Sequence, residues 1–124
     1  MKFVAAINCM DGRTQIPVIE WLKKECSATY VNMITEPGPN KILAENKDQF
    51  LINSIKRRVE ISTKKHASKI IAIVGHYDCA GNPVAKETQM NQIVDSIKTI
   101  ESWDFGIQVV GLWVDENWQV HKKR

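Results

Sequence analysis

The chain has 124 residues, enough to bury a hydrophobic core, and is expected to fold as one domain over residues 1–124. Hydrophobic residues make up 44% of the sequence and charged residues 25%, which is ordinary for a globular protein and excludes a disordered or fibrous chain. The net charge of +3 at pH 7 comes with scattered basic clusters rather than the continuous basic stripe of a nucleic-acid-binding domain, so no nucleic-acid partner is expected.

Neither a membrane segment nor a secretion signal is expected. No apolar run approaches the roughly 20 residues that span a bilayer, so we predict no membrane partner. The N-terminus enters a strand-like segment directly, without the charged, apolar and cleavage regions of a signal peptide. Three cysteines, an odd number, argue against a disulfide framework. The sequence therefore predicts a cytoplasmic protein whose cysteines bind a metal or take part in chemistry.

Strands and helices alternate along the chain. In chain order, the predicted elements are a strand over 3–8, a helix over 14–26, a strand over 29–34, a helix over 41–65, a strand over 70–74, a helix through residue 93 to about 102, a strand over 106–114 and an edge strand over 118–120. Residues 36–40 hold two prolines and a glycine and are expected to be irregular. This alternation predicts a three-layer α/β/α fold with a mostly parallel central sheet of four to five strands.

The first two predicted helices are amphipathic. The residues expected to face the core are Ile16, Val18, Ile19 and Leu22 in the first helix and Leu43, Phe50, Leu51, Ile55 and Val59 in the second. Pro17 falls in the first turn of its helix, where proline is tolerated.

Two predicted strands run into loops that carry metal-binding residue types. Cys9 follows the first strand, and His76 and Cys79 follow the strand over 70–74, in a loop with glycines on either side. Because the carboxyl ends of parallel strands meet at one edge of a sheet, we expect these three side chains to converge. Two thiolates and one imidazole suit Zn²⁺ and leave the open fourth position of a catalytic site. The alternative is a buried histidine bonded to the backbone beside two inert thiols; Cys26 is expected to be a small buried hydrophobe.

An acid and a base lie close to the first of these cysteines. Asp11 is near enough to Cys9 to be a fourth ligand of a zinc ion or to hold a water in that position. Arg13 can bind the Asp11 carboxylate as a bidentate pair and keep it off the metal. The alternative for both residues is an ordinary helix cap and ion pair. Asp78 is expected to be a turn residue, with proton relay as its alternative role.

Both loops resemble the signature motifs of a known enzyme family. Cys-Met-Asp-Gly-Arg at 9–13 and Gly-His-Tyr-Asp-Cys-Ala-Gly at 75–81 are similar to the Cys-x-Asp-x-Arg and His-x-x-Cys motifs of the β-class carbonic anhydrases. An apolar strand precedes each motif, a long helix is predicted between them, and a Gly-x-Trp-type final strand is found at 111–113. The resemblance covers most of the chain and implies the β-carbonic-anhydrase fold.

The resemblance also implies a function for each motif. Cys9, His76 and Cys79 would be zinc ligands, and Asp11 with Arg13 would be the family's catalytic dyad. The implied reaction is the reversible hydration of carbon dioxide to bicarbonate by zinc-bound hydroxide, which Asp11 orients. In the family's closed state the same aspartate replaces water on the metal. A homodimer or higher homo-oligomer, with the active site near the subunit interface, is implied as well.

The sequence departs from the family at one stretch, and this keeps other functions open. Thr-Glu-Pro-Gly-Pro-Asn at 35–40 stands where the family usually has an Arg-Asn-Ala-Gly-Asn type of segment. One alternative is a non-catalytic zinc-binding domain, a scaffold or sensor closed by Asp11. Another is a zinc hydrolase of carbon disulfide or carbonyl sulfide. A thiol redox protein is disfavoured because the chain has no Cys-x-x-Cys pair.

Overall fold

A five-stranded sheet, in the order β2-β1-β3-β4-β5, forms the centre of the computed structural model, which describes residues 1–124. The strands are β1 (Phe3–Cys9), β2 (Tyr30–Glu36), β3 (Ile70–His76), β4 (Gln108–Val114) and β5 (Val120–Lys122), and the helices are α1 (Gln15–Glu25), α2 (Pro39–Glu45), α3 (Gln49–Lys65) and α4 (Lys86–Glu101). The first four strands are parallel, and β5 pairs antiparallel with β4. The predicted α/β fold with a mostly parallel sheet is confirmed.

Successive residues of the inner strands face two separate cores. One core joins Ala5, Ile7, Ile71 and Ile73 of β1 and β3 to apolar residues of α2, α3 and α4. The other joins Val4, Ala6, Ala72 and Val74 of the same strands to Val18 and Leu22 of α1. Because both faces of β1 and β3 are covered, these strands consist almost entirely of small and β-branched apolar residues. None of the helices combines the length and apolar composition that crossing a bilayer requires.

The prediction of one long helix over 41–65 is wrong, because the chain forms two helices there. Residue Asn46 ends α2 in a left-handed conformation (φ 52°), and the side chain of Asp48 caps α3 by accepting the backbone N–H of Leu51 at 3.2 Å. The inner face of α3 is consequently set by Ile52, Ile55, Val59 and Ser62. Phe50, predicted to be buried, is 84% exposed.

The irregular stretch predicted over 36–40 is much shorter than expected. Glu36 is still part of β2, and Pro39 already lies in the first turn of α2, where its missing N–H leaves no helical hydrogen bond unmade. Only Pro37 and Gly38 lie between the two elements, and Gly38 has a φ of 59°, which glycine adopts without strain.

Two smaller corrections concern the outer elements. Ile16 is 66% exposed at the start of α1, where Val18 and Leu22 alone are fully buried. The edge strand runs over Val120–Lys122 rather than 118–120, because Trp118 takes a positive φ of 59° inside the turn that precedes it.

Candidate metal centre

The two predicted loops meet at the carboxyl edge of the sheet because β1 and β3 are parallel neighbours. Ile7 of β1 is paired with Ile73 of β3, so the two strands end side by side, at Cys9 and His76. The chain then passes through Tyr77 and an Asp78 of positive φ (57°) and returns Cys79 to the same edge. The structure therefore brings together the three residues that the sequence singled out.

The three side chains form a compact buried group of metal-binding atoms. One ligand atom each of Cys9, His76 and Cys79 can be chosen so that all lie within 4.8 Å of one another. The two sulfur atoms are 3.8 Å apart, and all three residues are at least 95% buried. An arrangement of two sulfurs and one imidazole nitrogen at this spacing can hold one Zn²⁺ ion.

The orientation of the His76 ring fits a metal ligand. Its Nδ1 atom lies 2.7 Å from the backbone carbonyl oxygen of Tyr77, and since a carbonyl oxygen only accepts, Nδ1 carries the proton and donates. The other ring nitrogen, Nε2, is buried without any hydrogen-bond partner. Buried polar atoms rarely lack a partner, whereas a histidine ligand uses one nitrogen for the metal and donates the other to an oxygen. The residues present therefore fit a zinc ion.

The electrostatics of the two thiols depend on their mutual contact. The hydrogen bond from Cys79 lowers the pKa of Cys9 to about 4, against burial, and His76 and the backbone N–H groups of Gly38 and Asp11 assist. The same contact with Cys9, together with burial, raises the pKa of Cys79. The pair thus retains one proton between two sulfurs, and a metal ion that binds both thiolates must displace it.

The histidine pKa responds to the same neighbours. Burial acts to lower the pKa of His76, but the contact with the Cys9 thiolate and the bond to the Tyr77 carbonyl outweigh it, and the net shift is upwards. A proton on Nε2 would compete with a metal, so a metal that bound here would release protons and would bind more weakly as the pH falls.

Asp11 is held beside the cluster and not within it. Arg13 Nη2 lies 2.7 Å from Asp11 Oδ2, Arg13 Nε lies 3.1 Å from Oδ1, and the backbone N–H of Arg13 donates to Oδ1 at 2.9 Å. These hydrogen bonds lower the pKa of Asp11 to about 2, so the carboxylate is charged at neutral pH. Both alternatives raised by the sequence are present at once, since Asp11 caps the 3₁₀ turn over 12–14 and is also the bidentate partner of Arg13.

Behind the ligands lies a buried amide network that the sequence analysis missed. Gln89 of α4 is bonded to the backbone of His76, and its Oε1 atom accepts from Asn40 at 3.3 Å. Asn82 donates to Asn40 Oδ1 at 3.1 Å and to Gln92 Oε1 at 2.6 Å. The sequence did contain a sign that Gln89 is buried. It is a polar residue at helical spacing from Ile93, Ser96 and Ile100, on the face of α4 that packs on the sheet.

The chain segments on either side of the cluster pack backbone to backbone. A Cβ atom at Gly38 would lie 2.8 Å from Asn82 Cβ, and one at Gly81 would lie 2.7 Å from the Pro37 carbonyl carbon. The loop at residues 37–38 therefore lies directly on the loop that follows Cys79. Since the Gly38 N–H also helps to lower the pKa of Cys9, this loop supports one of the two sulfurs.

Comparison with protein families gives one match over almost the whole chain. The family described as "Putative carbonic anhydrase" matches residues 1–123. A comparison with curated proteins gives no match.

Solved structures with the same fold are distant in sequence. A β-carbonic anhydrase from Trichomonas vaginalis superimposes with a TM-score of 0.64 at 14% identity, covering 95% of this chain and 80% of that protein. A carbonic anhydrase from Glaciozyma antarctica gives 0.60 at 14% identity, with coverage of 96% and 80%. A carbon disulfide hydrolase gives 0.54 at 12% identity, with coverage of 95% and 77%. At these identities the similarity establishes the fold.

Proposed function

On the premise that the chain belongs to the carbonic anhydrase family, which the match over residues 1–123 establishes, we propose that it is a zinc-dependent lyase that reversibly hydrates carbon dioxide to bicarbonate. One observation carries the proposal: the buried cluster of Cys9, His76 and Cys79, in which His76 Nε2 has no partner of its own. The cluster supports these three residues as the zinc ligands. A zinc ion bound there supplies a Lewis acid and lowers the pKa of a water ligand to about 7.

The other side chains of the site have roles that follow from their contacts. Asp11 is ionised at neutral pH and can only accept hydrogen bonds, so its oxygens can orient a water molecule at the open side of the cluster. Arg13 engages both oxygens of Asp11 and keeps that carboxylate from binding the metal itself. We propose the two residues as the catalytic dyad, with Asp11 as a fourth ligand when Arg13 releases it.

The rim of the site supports a homo-oligomer. Met10 and Tyr77 each follow a proposed ligand directly, and they are 63% and 49% exposed. Ile16 and Val84, in the segments that follow Arg13 and Asn82, are exposed as well. Apolar residues grouped around one edge of a sheet are typical of an interface, and we propose a dimer or higher oligomer that covers this rim. A cytoplasmic location stays a prediction from the cysteine content.

Two other functions remain as candidates. The carbon disulfide hydrolase among the structural neighbours favours a hydrolase of carbon disulfide or carbonyl sulfide, because these linear molecules have an electrophilic carbon like that of carbon dioxide. The Pro37–Gly38 loop lies in the stretch that departs from the family and packs on Gly81, and this departure keeps a non-catalytic zinc domain as a candidate.

Stopped-flow hydration of carbon dioxide by the zinc-loaded protein, at pH 7 and pH 9, tests the proposed reaction. The wild type is expected to turn over, and the isosteric variant Asp11→Asn is expected to keep its zinc and lose at least about tenfold in kcat. The same samples are offered carbon disulfide, with release of sulfide as the readout. One zinc per chain with hydration at neither pH would contradict the proposal, and sulfide release alone would favour the hydrolase.

A further inference from the structure

The guanidinium group of Arg13 is held from two directions besides Asp11. Its Nη1 atom lies 3.3 Å from the carboxylate Oδ2 of Asp78, and its Nη2 atom lies 3.1 Å from the backbone carbonyl oxygen of the same residue. Its Cζ atom lies 4.5 Å from the ring centroid of Trp118, within the range of a cation–π interaction. The Arg13 side chain remains 46% exposed with these contacts in place, so they limit the motion of a group that water also reaches.

Both of the supporting residues have left-handed backbones. Asp78 has a φ of 57° and Trp118 a φ of 59°. Aspartate tolerates this conformation, but a bulky residue such as tryptophan rarely adopts it and is strained there. Strained residues of this kind cluster at functional sites, where the surrounding structure compensates for them.

Asp115 fixes the turn that presents Trp118. Its Oδ1 atom accepts the backbone N–H groups of Asn117 and Gln119, both at 2.9 Å, and its backbone oxygen accepts that of Trp118 at 2.9 Å. Its second carboxylate oxygen lies 2.7 Å from His121 Nε2. A single carboxylate thus organises residues 115–119, which follow β4 at the same edge of the sheet as the proposed ligands.

We propose that Trp118 and Asp78 are positioning residues of the active site, which fix the Arg13 guanidinium so that it keeps both oxygens of Asp11. The inference rests on the proposed function, because it explains how Asp11 is kept available to orient water and kept off the metal. Asp78 binds Nη1 of the guanidinium, and the Trp118 ring lies against its Cζ atom. Without Trp118 and Asp78, the Arg13 guanidinium leaves Asp11 and is hydrated instead, and the Asp11 carboxylate is then free to turn towards the metal.

Solvent exchange of the Arg13 Nε–H proton tests this directly and needs no turnover. The proton is observed by NMR in ¹⁵N-labelled metal-free protein and identified as the signal that is absent from Arg13→Lys. Trp118→Ala is expected to raise its exchange rate by about fivefold or more, Trp118→Phe to restore the wild-type rate, and Asp78→Asn to give an intermediate rate. Trp103→Ala, two residues after α4 ends at Glu101, is the control for loss of a large side chain. Unchanged exchange in a folded Trp118→Ala or Asp78→Asn protein would overturn the proposal.

The consequence for Asp11 is measured on Co²⁺-loaded protein. Azide is titrated while the visible absorption of the cobalt is followed, and a carboxylate that occupies the open position competes with the azide. Trp118→Ala is expected to weaken azide binding by about fivefold, with Trp118→Phe close to the wild type. Equal azide affinity in both variants and the wild type would contradict the proposal. Neither readout requires hydration of carbon dioxide, so failure of the proposed function would be recognised separately.

Discussion

The side-chain amide of Gln89 binds both backbone polar groups of His76. Its Nε2 donates to the His76 carbonyl oxygen at 2.8 Å, and its Oε1 accepts the His76 N–H at 3.2 Å. The last residue of β3 is therefore tied to α4, and the proposed histidine ligand is held at the end of its strand. The first residue of α1, Gln15, makes a similar contact to the other proposed strand-end ligand, because its Nε2 donates to the Cys9 carbonyl oxygen at 2.7 Å.

Replacing Gln89 by the similarly sized Met is expected to destabilise the protein by about 1–3 kcal/mol, because it leaves buried backbone groups of His76 unpaired. Zinc affinity should fall with it, since the ligand backbone is no longer fixed. Urea unfolding and a zinc-chelator competition measure the two effects. Asn91→Leu, at an exposed position of the same helix, is the control. Equal losses of stability and zinc affinity in both variants would show that the hydrogen bonds of the Gln89 side-chain amide contribute nothing.

Cys79→Ser is expected to abolish stoichiometric zinc binding, because a hydroxyl is a harder and much less acidic donor than a thiol. Cys26→Ser is the matched control, since Cys26 lies outside the cluster and burial raises its pKa. Metal content after loading and dialysis is the measurement. Full zinc retention in Cys79→Ser would exclude this residue as a ligand.

Gly38→Ala is expected to destabilise the protein by more than about 1 kcal/mol and to weaken zinc binding. The added Cβ would lie 2.9 Å from the Gly81 carbonyl oxygen, at a position whose φ is 59°. Gly12→Ala makes a sharp control, because its Cβ would meet no atom within 4 Å. Thermal unfolding of the two variants should separate them. A Gly38→Ala protein as stable as Gly12→Ala would show that the loop packing is unimportant.

Arg13→Gln is expected to raise the pKa of Asp11 from about 2 towards its usual value of 3.8. Because the folded-state pKa lies below the unfolded value, the ion pair stabilises the protein fully above about pH 3.8, and the contribution disappears as the pH falls through about 2. A ¹³C NMR titration of the Asp11 carboxyl carbon in metal-free protein measures the midpoint. A midpoint that does not move in Arg13→Gln would show that a group other than Arg13 lowers the pKa of Asp11.

The sequence was most informative where residue type and strand order both constrain the structure. The apolar runs of β1 and β3 predicted a parallel sheet, and that prediction alone brought Cys9 and His76 to one edge. The break between α2 and α3 was missed because the apolar spacing continues through it, while the left-handed Asn46 and the Asp48 cap are local features. Phe50 fits a helical stripe from Leu43 only if the helix is continuous.

The contacts around Arg13 could not be predicted, since they depend on segments distant in sequence. Trp118 and Asp78 reach Arg13 from the turns after β4 and β3. Both contacts depend on positive φ angles, which the residue types at these positions do not predict. The position of Gln89 against His76 depends likewise on how α4 packs across the sheet.

X-ray absorption at the zinc K-edge of the loaded protein is the most direct test of the central claim, that Cys9, His76 and Cys79 form one zinc site. The account predicts two sulfur ligands at about 2.3 Å and nitrogen or oxygen ligands at about 2.0–2.2 Å. A first shell of nitrogen and oxygen alone, or four sulfurs, would contradict it.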